Sequence, residues 1–346
     1  MKNVCFVILA GGSGERLWPL SSKAHPKQLI PFLGMGSLLE QTISRIEVLA
    51  ESKDQILIVT NEAQKLLIKE QAGARVGKIL AEPAACNTAP AILWSALKAF
   101  DLDEQAVMVV LPADHFIPDK ELFAQHLQRA IEYAKANEKL VTFGLKPRHA
   151  ATGYGYIQAD MRNQPADFDN WPVLKFHEKP PAEVADRYLK QADMFWNIGI
   201  FVGKASALLR EFELLAKDLF DGMQLWLEGK QEYKNLPSIS IDYAIMEKSQ
   251  EIVVFAADFD WYDVGDLNTF LSLELQFSKR EQKLIEIEGS GNLGRLNNNK
   301  ILACVGVSDL CVVETDDVIL IVSKEKVNSV KKAIPKAKAF DVASSF

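Results

Sequence analysis

Three unbroken apolar runs, each closed by a turn and followed by a helical period, leave this chain few folds to choose from. NVCFVILA, QILIVT and AVMVVLPADH show no polar alternation, as expected of strands covered on both faces. After the first run, Leu39, Ile43, Ile46 and Ala50 recur at helical spacing. EAQKLLIKEQA predicts a second helix. NTAPAILWSALKAF predicts a third, with Asn87 or Thr88 as N-cap and Pro90 in the first turn. KILAEP and KLVTFG supply further strands. Alternation of this kind predicts an α/β fold with a parallel sheet and helices on both faces. Ligands of such sheets bind beyond the carboxyl ends of the strands. The loops AGGSGER and PADH both fall there.

Beyond residue 150 the pattern changes. GYGYIQA and VLKFHEK read as longer strands around a polar loop. KASALLREFELLA and SIDYAIMEKS read as helices, and EIVVFAADFDWYDVGDLNTFL as strand, loop and helix. The large domain is therefore expected to span residues 1–280. Residues 281–346 carry short β-rich pieces punctuated by Gly, Asn and Asp, which suggest a hairpin stack or a β-solenoid cap. KVNSVKKAI predicts a terminal helix.

Composition excludes several classes. A net charge of -7 with no basic stripe argues against nucleic-acid binding. No apolar run approaches the ~20 residues that span a bilayer, so no membrane association is expected. The N-terminal run lacks a small-residue cleavage site and leads into a glycine turn, which marks a first strand and not a signal peptide. Cys5, Cys86, Cys304 and Cys311 form no C-x-x-C pair. They read as buried thiols of a reducing compartment, the cytoplasm, and not as a zinc site.

The stretch LAGGSGERLWPLSSKAHPKQ matches neither common phosphate motif. Counted from Gly12, Leu17 stands where a P-loop needs its second Gly and where a dinucleotide fingerprint needs its third. Gly11, Gly12 and Gly14 would turn backbone N–H groups toward an anion. Arg16 and Lys27 would add fixed positive charge, or else be solvated surface cations. Asp114 and Asp263 follow different strands and could hold one Mg2+ against a triphosphate. Asp114 could equally cap a turn, and Asp258, Asp260 and Asp266 compete with Asp263. Glu82 is acceptor-only when ionised, which suits the two adjacent donors of guanine. Asn87 and Thr88 either reach the nucleotide or only cap their helix. Glu178, Lys179 and Asn197 suit sugar hydroxyls and a second phosphate.

In this order LAGGSGERLWPLS, PKQL, EPAACNTAPAI, LPADH, TGYGYI, FHEKP, WNIGIF, SIDYAIMEK and WYDVGD cover most of residues 4–270. With them the chain resembles sugar-phosphate nucleotidylyltransferases, most closely the bacterial mannose-1-phosphate guanylyltransferases. The resemblance implies a Rossmann-like nucleotidyltransferase domain with a mostly parallel, mixed sheet. It also implies a small C-terminal left-handed β-helix-like domain. The implied reaction joins GTP and α-D-mannose 1-phosphate into GDP-mannose and pyrophosphate, with Mg2+ as cofactor. By the same resemblance, Ala10, Gly11, Gly12 and Gly14 would wrap the nucleotide, and Arg16 and Lys27 would hold its phosphates. Glu82, Asn87 and Thr88 would meet base and ribose. Asp114 and Asp263 would hold the metal. Tyr154, Gly155, Glu178, Lys179 and Asn197 would contact the sugar phosphate. Cys86 stands where the family usually has Arg, and Ile198 where it has Ser or Ala. The second departure keeps a heptose or another hexose 1-phosphate open as substrate, and a non-catalytic GDP-sugar sensor is the reading from another class. No isomerase activity is expected. A homo-oligomer is favoured, a dimer first.

Overall fold

The computed structural model describes residues 3–12, 14–22, 25–162, 170–278, 283–297 and 300–340. Strands β1 (Val4–Leu9), β2 (Ile56–Asn61), β3 (Lys78–Glu82) and β4 (Val107–Pro112) are the first apolar runs. They lie parallel in the order β3-β2-β1-β4. Helices α1 (Leu38–Glu47), α2 (Lys65–Ala72), α3 (Thr88–Leu102) and α4 (Lys120–Ala136) connect and cover them. Side chains alternate across a strand, so Phe6 and Ile8 face one way and Val7 the other. Phe6 and Ile8 pack with Ile43 of α1, Ile68 of α2 and Phe123 of α4. Val7 packs with Ile92 of α3 and Phe212 of the later helix Ala205–Leu215. Both sheet faces are thus buried, which is why the middle positions of these strands are apolar.

The second half departs from a purely parallel sheet. After the two-residue strand β5 (His115–Phe116) come β6 (Leu140–Leu145), β7 (Gly155–Ala159), β8 (Asn170–His177), β9 (Met194–Lys204) and β10 (Ile252–Ala257). The sheet continues β4-β9-β6-β10-β8-β7, and β9 also pairs with β7. β9 runs antiparallel to β4, β6 and β7, whereas β6 and β10 are parallel. The WNIGIF stretch therefore lies inside the central strand β9, opposite the tip of β4. The segment SIDYAIMEKS is helical as expected, but its backbone winds as a π-helix, Asp242–Met246. Among the described residues no helix is long and apolar enough to cross a membrane.

A second small ladder joins β5 to β11 (Tyr262–Asp263), pairing Asp263 with His115 and Tyr262 with Phe116. The C-terminal part is a β-helix-like coil. β12 (Leu284–Ile287) pairs in parallel with β14 (Leu302–Val305), and β13 (Leu293–Arg295) with β15 (Leu310–Glu314). β16 (Ile319–Ser323) folds back antiparallel on β15. Buried Asn292 staples the coil: its amide donates to Glu286 Oε1 (2.6 Å) and the Val307 carbonyl (3.0 Å), and its Oδ1 accepts from the Leu310 N–H. The expected terminal helix is present but winds more tightly than an α-helix, as a nine-residue 3-10 helix, Lys324–Lys332, before a four-residue α-helix at Ile334–Ala337. Val327 and Val330 of the 3-10 helix pack with Leu17, Trp18 and Phe32, beside the glycine-rich loop.

Candidate active site

The glycine loop leaves β1 with its carbonyls secured by side-chain amides. The Ala10 carbonyl accepts from Gln28 Nε2 (2.8 Å) and Thr60 Oγ1 (3.0 Å). Asn61 donates to the Gly11 carbonyl (3.2 Å) and Gln64 to the Gly12 carbonyl (3.3 Å). Gln28 also donates to Gln64 Oε1 (2.9 Å), so the amides form one network. Carbonyls tied on one side leave Gly11 and Gly12 to line a cavity of about 430 Å3 on the other. Ala10 itself is buried behind that wall. Gly14 is not on the wall either. It has φ 68°, and a Cβ there would lie 2.3 Å from the Lys27 Cβ. Its glycine is required because Lys27 must pack directly on it.

Lys27 opens a 3-10 turn after Pro26, and its side chain is almost fully buried. Its ammonium lies 2.7 Å from Asp114 Oδ2 and 3.8 Å from Asp263 Oδ1. Burial alone would lower the lysine pKa, but the two carboxylates outweigh it and raise it. Burial alone would raise the Asp114 carboxyl, but the charge and hydrogen bond of Lys27 outweigh it and hold the group below the ordinary carboxylate range. The β5–β11 ladder fixes the two acids relative to each other, since Asp263 pairs with the residue after Asp114. The competing acids have other employment. Asp258 pairs with His126 (2.7 Å), Asp260 with Arg148 (2.9 Å), and Asp266 caps the helix Leu267–Phe277 through the Thr269 N–H (2.9 Å). Arg16 is exposed on the turn Glu15–Leu17, close enough for its charge to be felt at Lys27.

Asp114 and Asp263 both line the cavity, and the Lys27 ammonium lies within 4 Å of both. Two hard carboxylate oxygens suit a divalent ion that takes its remaining ligands from phosphate and water. Among the described residues no group of three or more His, Cys, Asp or Glu side chains could hold a metal by itself. The donor set therefore fits an ion shared with a phosphate substrate, not a closed structural site. His115 borders the pair. Trp261 Nε1 donates to its Nδ1 (3.1 Å), which leaves the imidazole proton on Nε2, 3.9 Å from Asp114 Oδ1. Burial outweighs both aspartates and keeps this histidine neutral.

One end of the cavity is built by β3 and the start of α3. Glu82 ends β3, is 7% exposed, and accepts from the Tyr233 hydroxyl at 2.6 Å. Burial pushes its carboxyl up to about 7, and the Tyr233 bond opposes that rise. Asn87 caps α3 by accepting from the Thr88 N–H (2.8 Å), with its own φ at 69°. Thr88 Oγ1 accepts from the Ile241 N–H (2.9 Å). Both residues cap or brace, and both also line the cavity.

The other end comes from β7, β8 and β9. Asn197 Oδ1 accepts from Thr142 Oγ1 (3.1 Å) and the Gly199 N–H (3.2 Å), while its amide donates to Asp242 Oδ1 (3.3 Å). Lys179, at φ 47°, turns its ammonium onto the Glu178 carboxylate. Burial and the neighbouring Glu178 push Asp242 up to about 6. A Cβ at Gly155 would meet Glu178 Oε2 at 2.8 Å, so a larger residue there would displace that carboxylate. Tyr154 stands edge-on to Trp196 and Trp261. Ile198, 1% exposed, lines this end. The sequence reading missed Gln28, His115, Tyr233, Asp242 and Trp261. PKQ, LPADH, SIDYAIMEK and WYDVGD already contained four of them. Tyr233 lies in none of the quoted motifs and is reached only through the fold.

Two family models match the chain. Residues 5–280 match Nucleotidyl transferase, and residues 283–336 match the MannoseP isomerase/GMP-like beta-helix domain. The mannose-1-phosphate guanylyltransferase RfbM of Salmonella typhimurium is 35% identical, over 97% of this chain and 72% of that protein. The xanthan biosynthesis protein XanB of Xanthomonas campestris pv. campestris (strain ATCC 33913) is 34% identical, over 98% and 74%. A solved structure from Thermus thermophilus, described as a mannose-1-phosphate geranyltransferase, superposes with a TM-score of 0.84. It shares 29% identity over 97% of this chain and 99% of that one. By these matches the chain belongs to the nucleotidyl transferase family, and it carries that family's α/β domain with a β-helix-like domain behind it.

Proposed function

We propose that this chain is a mannose-1-phosphate guanylyltransferase, converting GTP and α-D-mannose 1-phosphate into GDP-mannose and pyrophosphate. One observation carries the reading. One cavity is lined by an acceptor carboxylate (Glu82), an aspartate pair (Asp114 and Asp263) and a polar cluster (Glu178, Lys179, Asn197). These are the kinds of group that a base, a phosphate chain and a sugar phosphate would require. The Salmonella typhimurium relative is named for this activity.

The reaction forms a bond from a sugar-phosphate oxygen to the α-phosphorus and breaks the bond to pyrophosphate. The attacking phosphate is already ionised, so no side-chain base is needed. Positioning and charge neutralisation carry the step. Asp114 and Asp263 would hold Mg2+, which when bound supplies Lewis-acid charge at the α-phosphate. Gly11 and Gly12 offer backbone to the nucleotide, with Ala10 and Gly14 shaping the turn. Arg16 and Lys27 steady the departing pyrophosphate. Lys27 is preorganised, since Gly14 and two carboxylates fix it before any substrate arrives. Asn87 and Thr88 flank the ribose. Tyr154, Gly155, Glu178, Lys179 and Asn197 seat the sugar phosphate. The working unit is proposed to be a homodimer in the cytoplasm, with catalytic residues 1–280 and a cap at 281–346.

The test is pyrophosphate release from nucleoside triphosphates paired with a panel of sugar 1-phosphates. GTP with mannose 1-phosphate should be fastest. A faster heptose or other hexose 1-phosphate would reassign the sugar, which the bulk of Ile198 keeps in view. Saturable binding of GDP-mannose without release from any pair would overturn catalysis.

A further inference from the structure

We propose that Tyr233 sets the base preference of this site by fixing Glu82 as a double acceptor for a purine edge with adjacent N–H donors. The proposal rests on the guanylyltransferase reading above. Tyr233 lies 151 residues from Glu82 in sequence, yet its hydroxyl donates to Oε1 at 2.6 Å. Its ring is 2% exposed and edge-on to Trp226 at 4.8 Å, and Trp226 stands edge-on to Trp94 at 4.9 Å. Two tryptophans therefore lock the ring, and the hydroxyl has one place to go. Cys86 Sγ donates to the Tyr233 carbonyl (3.6 Å), fastening the backbone as well. This gives the unusual Cys86 a part in the same unit.

A carboxylate oxygen has two lone pairs. With Oε1 taking the phenol proton on one, Oε1 keeps a second and Oε2 keeps both. Oε2 stands beside Gly11, 3.8 Å from where a Cβ would be, and both residues line the cavity. An ionised Glu82 can so accept from two neighbouring base donors. A neutral one carries its own proton and cannot. The groups facing Glu82 are the Tyr233 phenol, the Cys86 thiol and, across the β2–β3 ladder, the Asn61 amide, which is given to Gly11. Tyr233 is the donor that opposes the effect of burial on Glu82. Loss of its hydroxyl would favour the neutral form.

The readout is the ratio of kcat/KM for GTP over inosine triphosphate, which lacks the 2-amino donor. Both nucleotides carry the same titrating phosphates, so their ionisation cancels. The ratio is measured between about pH 6 and pH 8, a range that spans the titration expected of Glu82. In the unaltered protein the ratio should rise with pH across that range. Tyr233→Phe should lower it roughly tenfold at neutral pH, the scale of one hydrogen bond to a charged group, and recover part of it at the alkaline end. Its KM for mannose 1-phosphate should not change. If Glu82→Gln abolishes the preference while Tyr233→Phe keeps it at every pH, the role of Tyr233 is overturned and the base reading stands. If the unaltered protein and Glu82→Gln share one ratio, Glu82 does not read the base and both ideas fall. A flat pH profile in the unaltered protein overturns the proposal even if Tyr233→Phe does not fold.

Discussion

Glu82 shows how one residue trades stability for recognition. Its carboxyl is pushed from its usual value of 4.5 up to about 7 by burial, with the Tyr233 hydroxyl only partly offsetting this. A raised carboxyl pKa means the folded chain holds a proton that the unfolded chain has released. Stability contributed by this group is therefore full below about pH 4.5 and falls as pH rises toward 7, where the loss levels off. A shift of this size corresponds to at most about 3 kcal/mol. Gln keeps the shape and the acceptor for Tyr233 but does not titrate. Denaturant unfolding of Glu82→Gln should match the unaltered protein near pH 4.5 and exceed it by roughly 1–3 kcal/mol at pH 8. A difference that does not vary with pH would mean that burial leaves Glu82 unperturbed. The arrangement makes sense if the cost is recovered when a ligand donates to the carboxylate.

At the scale of elements, the β5–β11 ladder decides which acids act together. The sequence supplied both strands' acids but not the pairing, because a two-residue strand has no periodicity to detect. LPADH and WYDVGD therefore marked loops with several candidates, and only the ladder sets Asp263 opposite His115. The apolar strands of the first half were legible for the opposite reason: burial on both faces leaves their middle positions apolar without alternation. β9 was hidden inside a motif read for its asparagine, and its antiparallel course has no local signature. The π-helix Asp242–Met246 kept the apolar spacing of a helix. Asp242 was thus passed over although its motif was quoted. The ladder yields a test. Asp263→Asn should raise the Mg2+ concentration needed for half-maximal pyrophosphate release by an order of magnitude or so, the scale of losing one charged ligand contact. Asp260→Asn, which breaks only the Arg148 pair, should leave that requirement unchanged. The reverse outcome would move the proposed metal site to Asp260.

For the whole molecule, the question is why a β-helix-like coil sits behind a nucleotide site. Among the described residues, the C-terminal part packs beside the site in one hydrophobic cluster. Val327 and Val330, each 4% exposed, pack in a cluster with Leu17, Trp18, Ile30, Phe32 and Phe270. Leu17 belongs to the same short turn as Arg16, and Phe32 follows the Lys27 turn. The two cations assigned to the phosphates are therefore backed by the C-terminal domain, while Glu82 and Tyr233 belong to the opposite face of the sheet. Shortening both valines should act on one end of the cavity and spare the other. Two Val→Ala changes in a packed core each remove two methyl groups and cost about 1–2.5 kcal/mol, by comparison with the smaller large-to-small substitutions. Val327→Ala with Val330→Ala should lower the melting temperature. It should also reduce kcat several-fold as the Arg16 turn loosens, since small misplacements of charged groups are expensive in catalysis. The preference for GTP over inosine triphosphate should be unchanged. Lost stability with full kcat would make the coil a support for the fold alone. Lost base preference would mean that strain crosses the sheet, and that the two ends of the cavity respond as one body.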